Sequence, residues 1–469
     1  MHILIIGAGR IGRSVAENLV NESNDITIVD QDAERVSALE TRLDLRGVTG
    51  NALSPSVLES AGANDADMIL AVTANDETNM AVCLLASQLF NIPTRIARVR
   101  NQELRQYPRL LAEEGFQITS TIWPEQALNE SLLRLIEFPE ALQIIDFAEG
   151  KAVLFCVRAV AGSPLVGRPI GDLAVHLPHV PARIVSVFRR NRRLDISSET
   201  VIESGDEVIA LSSGRDVRRV ISELRQHEER IRRIMIAGNA RLGVQLAGLL
   251  NGPEGRRGYT ITILDEDAAL CTSLAAAVPK DTELVTANLT DEEALTELCV
   301  DRCDLFISLS SRDENNIMGA LLAKKLGARR VIALTDSDTF SALMQGTQID
   351  VTVSSTQATI GELLRHVRRG DVLAAHSLRR GVAEALEIVA HGNKRSSRVV
   401  GKRIADIDLP AGVEIAALVR DTDDIEEPEV LIAQKDVIVE PEDRVIVFVP
   451  GKRVIPQVEK LFAVDVGFF

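Results

Sequence analysis

The chain has 469 residues, 46 % hydrophobic and 26 % charged, the composition of a folded protein of about three or four domains and not of a disordered one. It carries 52 Lys and Arg against 68 Asp and Glu, a formal charge of −16, so nucleic acid, which needs a basic footprint, is not an expected partner. The apolar runs are strand-length, far short of the ~20 residues that a membrane-spanning helix needs.

In chain order, Ile3–Ile6 reads as a short buried strand and runs into a glycine turn, so it reads as neither a signal peptide nor an anchor. Arg10–Val20 has helical periodicity, Ile26–Val29 is a strand, and Ala33–Leu43 is helical. Met68–Val72, Glu77–Phe90 and Thr94–Val99 continue the rhythm as strand, helix and strand. Buried strands alternating with helices predict a parallel, doubly wound sheet. From Gln143 the pattern changes. Gln143–Phe147 and Ala152–Val160 read as a hairpin around Glu149-Gly150, followed by a short helix over Gly167–Ala174 and strands at Arg183–Phe188 and Glu207–Leu211. That is a small α+β domain.

The chain then repeats itself. Gly7-Ala8-Gly9-Arg10-Ile11-Gly12 aligns with Gly238-Asn239-Ala240-Arg241-Leu242-Gly243 at an offset of 231, and Asp30 with Asp265 at 235. Thr73–Asn79 aligns with Ser310–Asn316 at 237, and Glu203-Ser-Gly-Asp206 with Glu440-Pro-Glu-Asp443 at 237. The offset grows at a loop inserted over Asn251–Gly258. The fold class predicted is therefore α/β: two tandem copies of a Rossmann-like doubly wound parallel sheet domain, each followed by a small α+β domain. The four pieces are placed at 1–123, 140–226, 231–350 and 367–455.

Gly7, Gly9 and Gly12 form a G-x-G-x-x-G between a strand and a helix. Gly7 permits the tight turn, Gly9 lets a pyrophosphate approach the backbone, and Gly12 lets helix and strand pack closely. The helix N-terminus holds phosphate. Asp30 ends the second strand, where a carboxylate accepts from ribose hydroxyls. Gln31 and Asp32 offer no cation for a 2′-phosphate, which favours NAD or an adenosine nucleotide over NADP. Thr73 and Ala74 lie at the carboxyl edge of the sheet, and Arg98 or Arg100 can neutralise a phosphate. In the second copy Ala240 replaces the middle glycine, its methyl expected to crowd the pyrophosphate, and Leu334-Thr335 stands near the place of Arg98. A weaker, different or absent nucleotide is expected there, over Gly238–Gly243 and Asp265.

Catalysis finds little support. Hydride transfer needs a proton carrier beside the nicotinamide, yet before Lys151 there is no lysine and only His2 as a histidine. No P-loop or nucleophile elbow is present. The five cysteines are scattered, as in a reducing compartment. Cys83 reads as core, and Cys299 and Cys303, spaced to share a helix face, lack partners for a metal. The residues read as a nucleotide sensor without catalysis, with an NAD-dependent oxidoreductase and a nucleotide-binding scaffold as the alternatives.

The tandem organisation resembles the family of RCK-domain (KTN-domain) regulatory subunits of the bacterial Trk potassium-uptake system. The strings carrying the resemblance include Asp76-Glu-Thr-Asn-Met80, Arg95-Ile-Ala-Arg98, Phe147-Ala-Glu-Gly150, Ser377–Glu384 and Ser397-Arg-Val-Val-Gly401. The resemblance implies a peripheral protein on the cytoplasmic face of the bacterial inner membrane. It also implies a homo-oligomeric RCK ring, a tetramer, under a membrane-embedded Trk potassium transporter subunit. NAD or NADH, with ATP or ADP as alternative occupants, would bind the Rossmann parts and open or close the pore. Carried over residue by residue, Gly7–Gly12 and Arg98 would hold phosphate, Asp30 ribose, and Thr73-Ala74 the ligand edge. Ala240 and Ala287-Asn288 depart from the family pattern.

Overall fold

The computed structural model describes residues 1–20, 24–112, 114–226, 229–252, 258–344, 347–367, 372–378, 383–421 and 429–464. Residues 253–257 of the inserted loop and 379–382 of the Ser377–Glu384 string lie outside them.

The first sheet is built from β1 (His2–Ile6), α1 (Arg10–Leu19), β2 (Asp25–Asp30), α2 (Ala33–Arg42), β3 (Arg46–Thr49), α3 (Pro55–Ser60), β4 (Met68–Ala71), α4 (Asp76–Phe90), β5 (Thr94–Arg98), α5 (Pro108–Leu111), β6 (Ser120–Ile122) and α6 (Pro124–Glu137). Its strands are parallel in the order β3-β2-β1-β4-β5-β6, the doubly wound arrangement. The central strands are apolar along their length because helices cover both faces: Ile3, Leu4, Ile5, Ile69 and Leu70 are fully buried. The order reverses between β1 and β4, which opens a crevice at the carboxyl ends of those strands. The short edge strands β3 and β6 carry half-exposed, mixed residues and give no apolar run in the sequence.

The first small domain has β7 (Ala141–Phe147), β8 (Ala152–Arg158), α7 (Asp172–His176), β9 (Ala182–Arg189), β10 (Arg192–Arg193), β11 (Glu207–Ser213) and α8 (Val217–Leu224), with strand order β10-β9-β11-β8-β7. The turn between β7 and β8 needs left-handed backbone at Ala148, Glu149 and Gly150, and the Glu-Gly signal falls on it. The expected helix over Gly167–Ala174 instead occupies Asp172–His176. Gly167 sits in a left-handed turn at φ +86, so the helix starts five residues late.

The repeat follows: β12 (Arg233–Ala237), α9 (Ala240–Asn251), β13 (Thr260–Asp265), α10 (Ala268–Leu274), β14 (Thr282–Thr286), α11 (Glu292–Glu297), β15 (Leu305–Ser308), α12 (Asp313–Lys325), β16 (Arg330–Leu334), α13 (Asp338–Leu343), β17 (Val351–Val353) and α14 (Ser355–Val367). The last sheet comprises β18 (Val372–Leu378), β19 (Ala383–Val389), β20 (Glu414–Arg420), β21 (Glu429–Ile432) and β22 (Arg444–Val449), with α15 (Ile455–Phe462) after it. The strand orders β14-β13-β12-β15-β16-β17 and β18-β19-β22-β20-β21 reproduce those of the first copy. The repeated aspartates explain one sequence match. Asp206 and Asp443 are each 1 % exposed and grip Arg189 at 2.8 Å and Arg420 at 2.8 Å; these hydrogen bonds raise both guanidinium pKa values above the ordinary one.

The compact units do not follow chain order. One contains Met1–Pro124, Asp146–Ala152 and Thr356–Phe469; the other contains Glu125–Ile145 and Val153–Ser355. Helix α14 of the second copy places Ile360, Leu363, Leu364 and Val367 in one apolar cluster with Ile3, Ile5 and Ile28. Reciprocally, Leu128, Leu132, Leu135 and Ile136 of α6 join Ile234, Ile236 and Ile263. Each such side chain contributes about 2 kcal/mol of burial, so neither Rossmann core is complete within its own copy.

Candidate functional site

The turn between β1 and α1 sits at the crevice. Gly7 has φ +106, and a Cβ on it would lie 3.2 Å from the backbone of Thr73, so the position needs both the left-handed backbone and the missing side chain. A Cβ on Gly12 would lie 1.8 Å from the Gly7 carbonyl oxygen, so only glycine lets α1 press on the turn. At Gly9 a Cβ would meet nothing within 4 Å. The protein itself has no packing need for glycine there, and the space is open for a ligand to come close. Gly9 is also the cap residue of α1, with no side-chain hydrogen bond to the helix end and no acidic residue in the first turn. A helix end dressed in this way attracts an anion.

Asp30 ends β2 beside this turn. Its carboxylate accepts from the Ala8 amide at 2.6 Å and the Asp32 amide at 2.9 Å. The group expected to hold ribose therefore also ties the glycine turn to β2, and its remaining lone pairs face the crevice half-exposed. Ile11 is buried in the core of the first unit and Arg10 is exposed. Arg10 lines a cleft of about 440 Å³ beside Gly9 together with Arg13, Arg35 and Arg42, three cations that the motif reading did not single out.

Thr73 and Arg98 are joined by a residue given no role in the sequence reading. Asn79 is fully buried; its Oδ1 accepts from the Thr73 amide at 2.9 Å and hydroxyl at 2.7 Å, and its Nδ2 donates to the Thr73 carbonyl at 3.1 Å and the Arg98 carbonyl at 2.9 Å. Arg98, 9 % exposed, donates from Nη1 to the Thr73 carbonyl at 3.3 Å. The signal was present, since Asn79 and Asn316 close the repeated Thr73–Asn79 and Ser310–Asn316 strings. Gly7, Gly12, Thr73 and Arg98 thus share one contact chain, and Asp30 joins it through Ala8. Ala74 and Arg100 stand outside it: both are exposed, and the Arg100 amide donates to Asp76 at 2.8 Å.

The second copy keeps the frame. Gly238 has φ +88, the Ala240 amide donates to Asp265 at 2.7 Å, and buried Asn316 donates to the Ser310 carbonyl at 2.8 Å and the Leu334 carbonyl at 3.0 Å. Leu334 thereby stands where Arg98 stands in the first copy. The expectation for Ala240 is corrected. α9 starts one residue earlier relative to its glycine than α1 does, so Ala240 lies inside the helix, fully buried in the core, with its methyl turned away from any ligand. Two other residues close the site. Asn239 takes the cap position and its Oδ1 accepts from the Leu242 amide at 3.1 Å, using a donor that an anion needs. Leu289, where the first copy has Ala52, packs onto the turn; its Cδ2 would lie 2.7 Å from a Cβ on Gly238. Asp265 is 7 % exposed, Arg241 is exposed, and Leu242 and Gly243 are buried.

Cys299 and Cys303 do not share a helix face. Cys299 is exposed at φ +55 before a three-residue turn, and Cys303 is buried after it, its thiol pushed up to about 12 by burial. Cys83 is buried in α4, its thiol likewise pushed up to about 12.

Comparison with known proteins agrees with this architecture. The TrkA-N domain model matches residues 3–117 and 234–355, and the TrkA-C domain model matches 154–225 and 394–463. The Trk system potassium uptake protein TrkA of Halomonas elongata is 45 % identical over 469 residues, covering 100 % of both chains. The protein of the same name from Vibrio alginolyticus is 42 % identical over 463 residues, covering 98 % of each. Among solved structures, the GsuK RCK domain superposes with a TM-score of 0.59 at 19 % identity, covering 98 % of this chain and 95 % of that one. The GsuK channel bound to NAD gives 0.59 at 18 %, covering 98 % and 78 %. These two share the fold. The relatives bear the name of a transport protein and not of an enzyme, and among the described residues no helix is long and apolar enough to cross a membrane. The chain belongs to the TrkA family of Trk-system potassium uptake proteins.

Proposed function

We propose that the chain senses an adenine nucleotide at its first Rossmann crevice and sets the conductance of a membrane-embedded Trk potassium transporter subunit. The observation that carries this reading is the uncapped end of α1 at Gly9, open to solvent and placed by Gly7 against the Thr73–Arg98 pair. The residues fit NAD or NADH, with ATP or ADP as alternative occupants. The α1 amides and Arg98 would hold phosphate, Asp30 the ribose, and Thr73 the edge of the ligand. The structure of a relative in fold, the GsuK channel, bound to NAD supports the choice of ligand. The second crevice, capped by Asn239 and filled by Leu289, holds nucleotide weakly or not at all.

The residues work by binding and not by reaction. A nucleotide that fits one conformation of the assembly better shifts it by no more than the difference in affinity, typically ~1–3 kcal/mol per site. Copies in a homo-oligomeric RCK ring, a tetramer in this reading, add these increments. The chain sits peripherally on the cytoplasmic face of the inner membrane, held by its transporter partner, and salt washes release it without detergent. Calorimetric titration of the full chain with NADH and with ATP tests the ligand, and potassium uptake by cells carrying the Arg98→Gln chain tests the coupling. Tight binding lost with Arg98→Gln, together with altered uptake, supports the proposal. No binding of either nucleotide, or uptake indifferent to Arg98→Gln, defeats it.

A further inference from the structure

The second sheet carries a strongly basic cleft at the end of its strands opposite the glycine turn. The cleft has a volume of about 540 Å³, within the range of small-molecule sites. Arg158 at the end of β8, Arg225 just past α8, Lys324 and Lys325 at the end of α12, and Arg330 at the start of β16 line it, with Asp350 as the single carboxylate among the described lining residues. These cations come from four separate chain segments, so no helical surface pattern brings them together; the fold does.

Their local contacts show a frame held in place. Lys324 pairs with Asp350 at 2.7 Å and also donates to the Arg329 carbonyl, and Arg158 pairs with Glu207 at 3.1 Å. Arg330 is 4 % exposed and donates to the Ala141 carbonyl at 2.8 Å, which fixes a guanidinium at the cleft wall. Lys325 reaches Glu292 only at 3.7 Å, with both side chains largely exposed. Counting these carboxylate partners, positive charge is still in excess, in a chain whose net charge is −16. Gathering like charges costs free energy that a bound anion returns, most strongly when guanidinium groups bond its oxygens in pairs.

The first copy shows that the repeat does not demand this feature. Counting from the shared helix starts Asp76 and Asp313, the places of Lys324 and Lys325 hold Ser87 and Gln88, and Thr94 opens β5 where Arg330 opens β16.

We propose that this cleft binds a phosphorylated anion with at least two negative charges, at a site separate from both glycine turns. Its recessed shape favours a soluble phosphate ester or diphosphate over a lipid headgroup. Pyrophosphate is the probe, titrated into the full chain while hydrogen exchange of amides in 324–330 and 347–350 is followed. Saturable protection there is expected, and Arg225→Gln with Lys325→Gln should weaken it about tenfold while leaving Gly7–Gly12 as in the parent. Sodium chloride at the same ionic strength should not reproduce it. Protection absent from these segments, equal protection by chloride, or protection that survives both substitutions overturns the proposal. Flotation with anionic vesicles, lost in the double variant when pyrophosphate gives no protection, would assign the cleft to lipid and overturn the soluble ligand.

Discussion

In the first Rossmann sheet Arg98 closes β5 at the carboxyl edge and α1 begins uncapped at Gly9; in the second, Leu334 closes β16 and Asn239 caps α9. At the opposite edge the contrast is reversed, with Lys324, Lys325 and Arg330 facing the equivalents Ser87, Gln88 and Thr94. The strand order, the buried asparagine and the carboxylate on the glycine turn are shared. Duplication has thus preserved what builds the crevice and changed what would sit in it. A frame held by Asn79 or Asn316 costs several buried hydrogen bonds to alter, whereas a cap residue or a surface cation changes locally and cheaply.

The largest expected effect tests whether the frame is truly common. Asn79→Ala and Asn316→Ala should each lower stability to urea by about 3 kcal/mol, because each strands buried amide and carbonyl groups. Only Asn79→Ala should also abolish NADH binding. Two variants that differ widely in stability, or that share the binding defect, would break the comparison.

Next, Gly9→Asn should write the second copy's cap into the first. Gly9 has φ −70, which asparagine adopts without strain. Its side chain would take a first-turn amide and cost about 1.5–3 kcal/mol, one to two decades of NADH affinity by calorimetry. Gly9→Ala, which caps nothing and meets nothing in the protein, should lose affinity only through contact with the ligand. A Gly9→Asn chain that binds NADH like the parent would show that the cap is irrelevant.

Asp30→Asn keeps an acceptor for the Ala8 amide but removes the charge. It should weaken NADH and ATP by about 1 kcal/mol, whereas Asp30→Ala also loses the tie to the turn and should unfold at lower urea. Equal urea midpoints for the two variants would deny the carboxylate its structural part. In the other direction, Asn239→Gly with Leu289→Ala should reopen the second crevice and add a weak NADH site, up to about tenfold tighter than any residual binding there.

The smallest effect concerns the thiols. With Cys83 and Cys303 pushed up to about 12, both stay protonated from pH 7 to 9, so a thiol reagent should label exposed Cys299 first. Labelling of Cys83 at a comparable rate in the folded chain would contradict the buried core of α4.

The sequence by itself determined the repeat, the parallel order of the central strands and the glycine–aspartate pair, because these rest on local signals. Apolar strand runs, a turn that only glycine can make and a carboxylate at a strand end are all written within a few consecutive residues. It also carried Asn79 in plain view without its meaning, since four hydrogen bonds from one side chain to Thr73 and Arg98 exist only after β4 and β5 pair. Tertiary structure alone decided the rest. The one-residue shift of the α9 start moved the obstacle from Ala240 to Asn239, and packing brought Leu289 onto Gly238 from a loop fifty residues away. The exchange of α6 and α14 between copies was illegible for the same reason. An amphipathic helix shows in its sequence that it must bury a face, but not against which sheet.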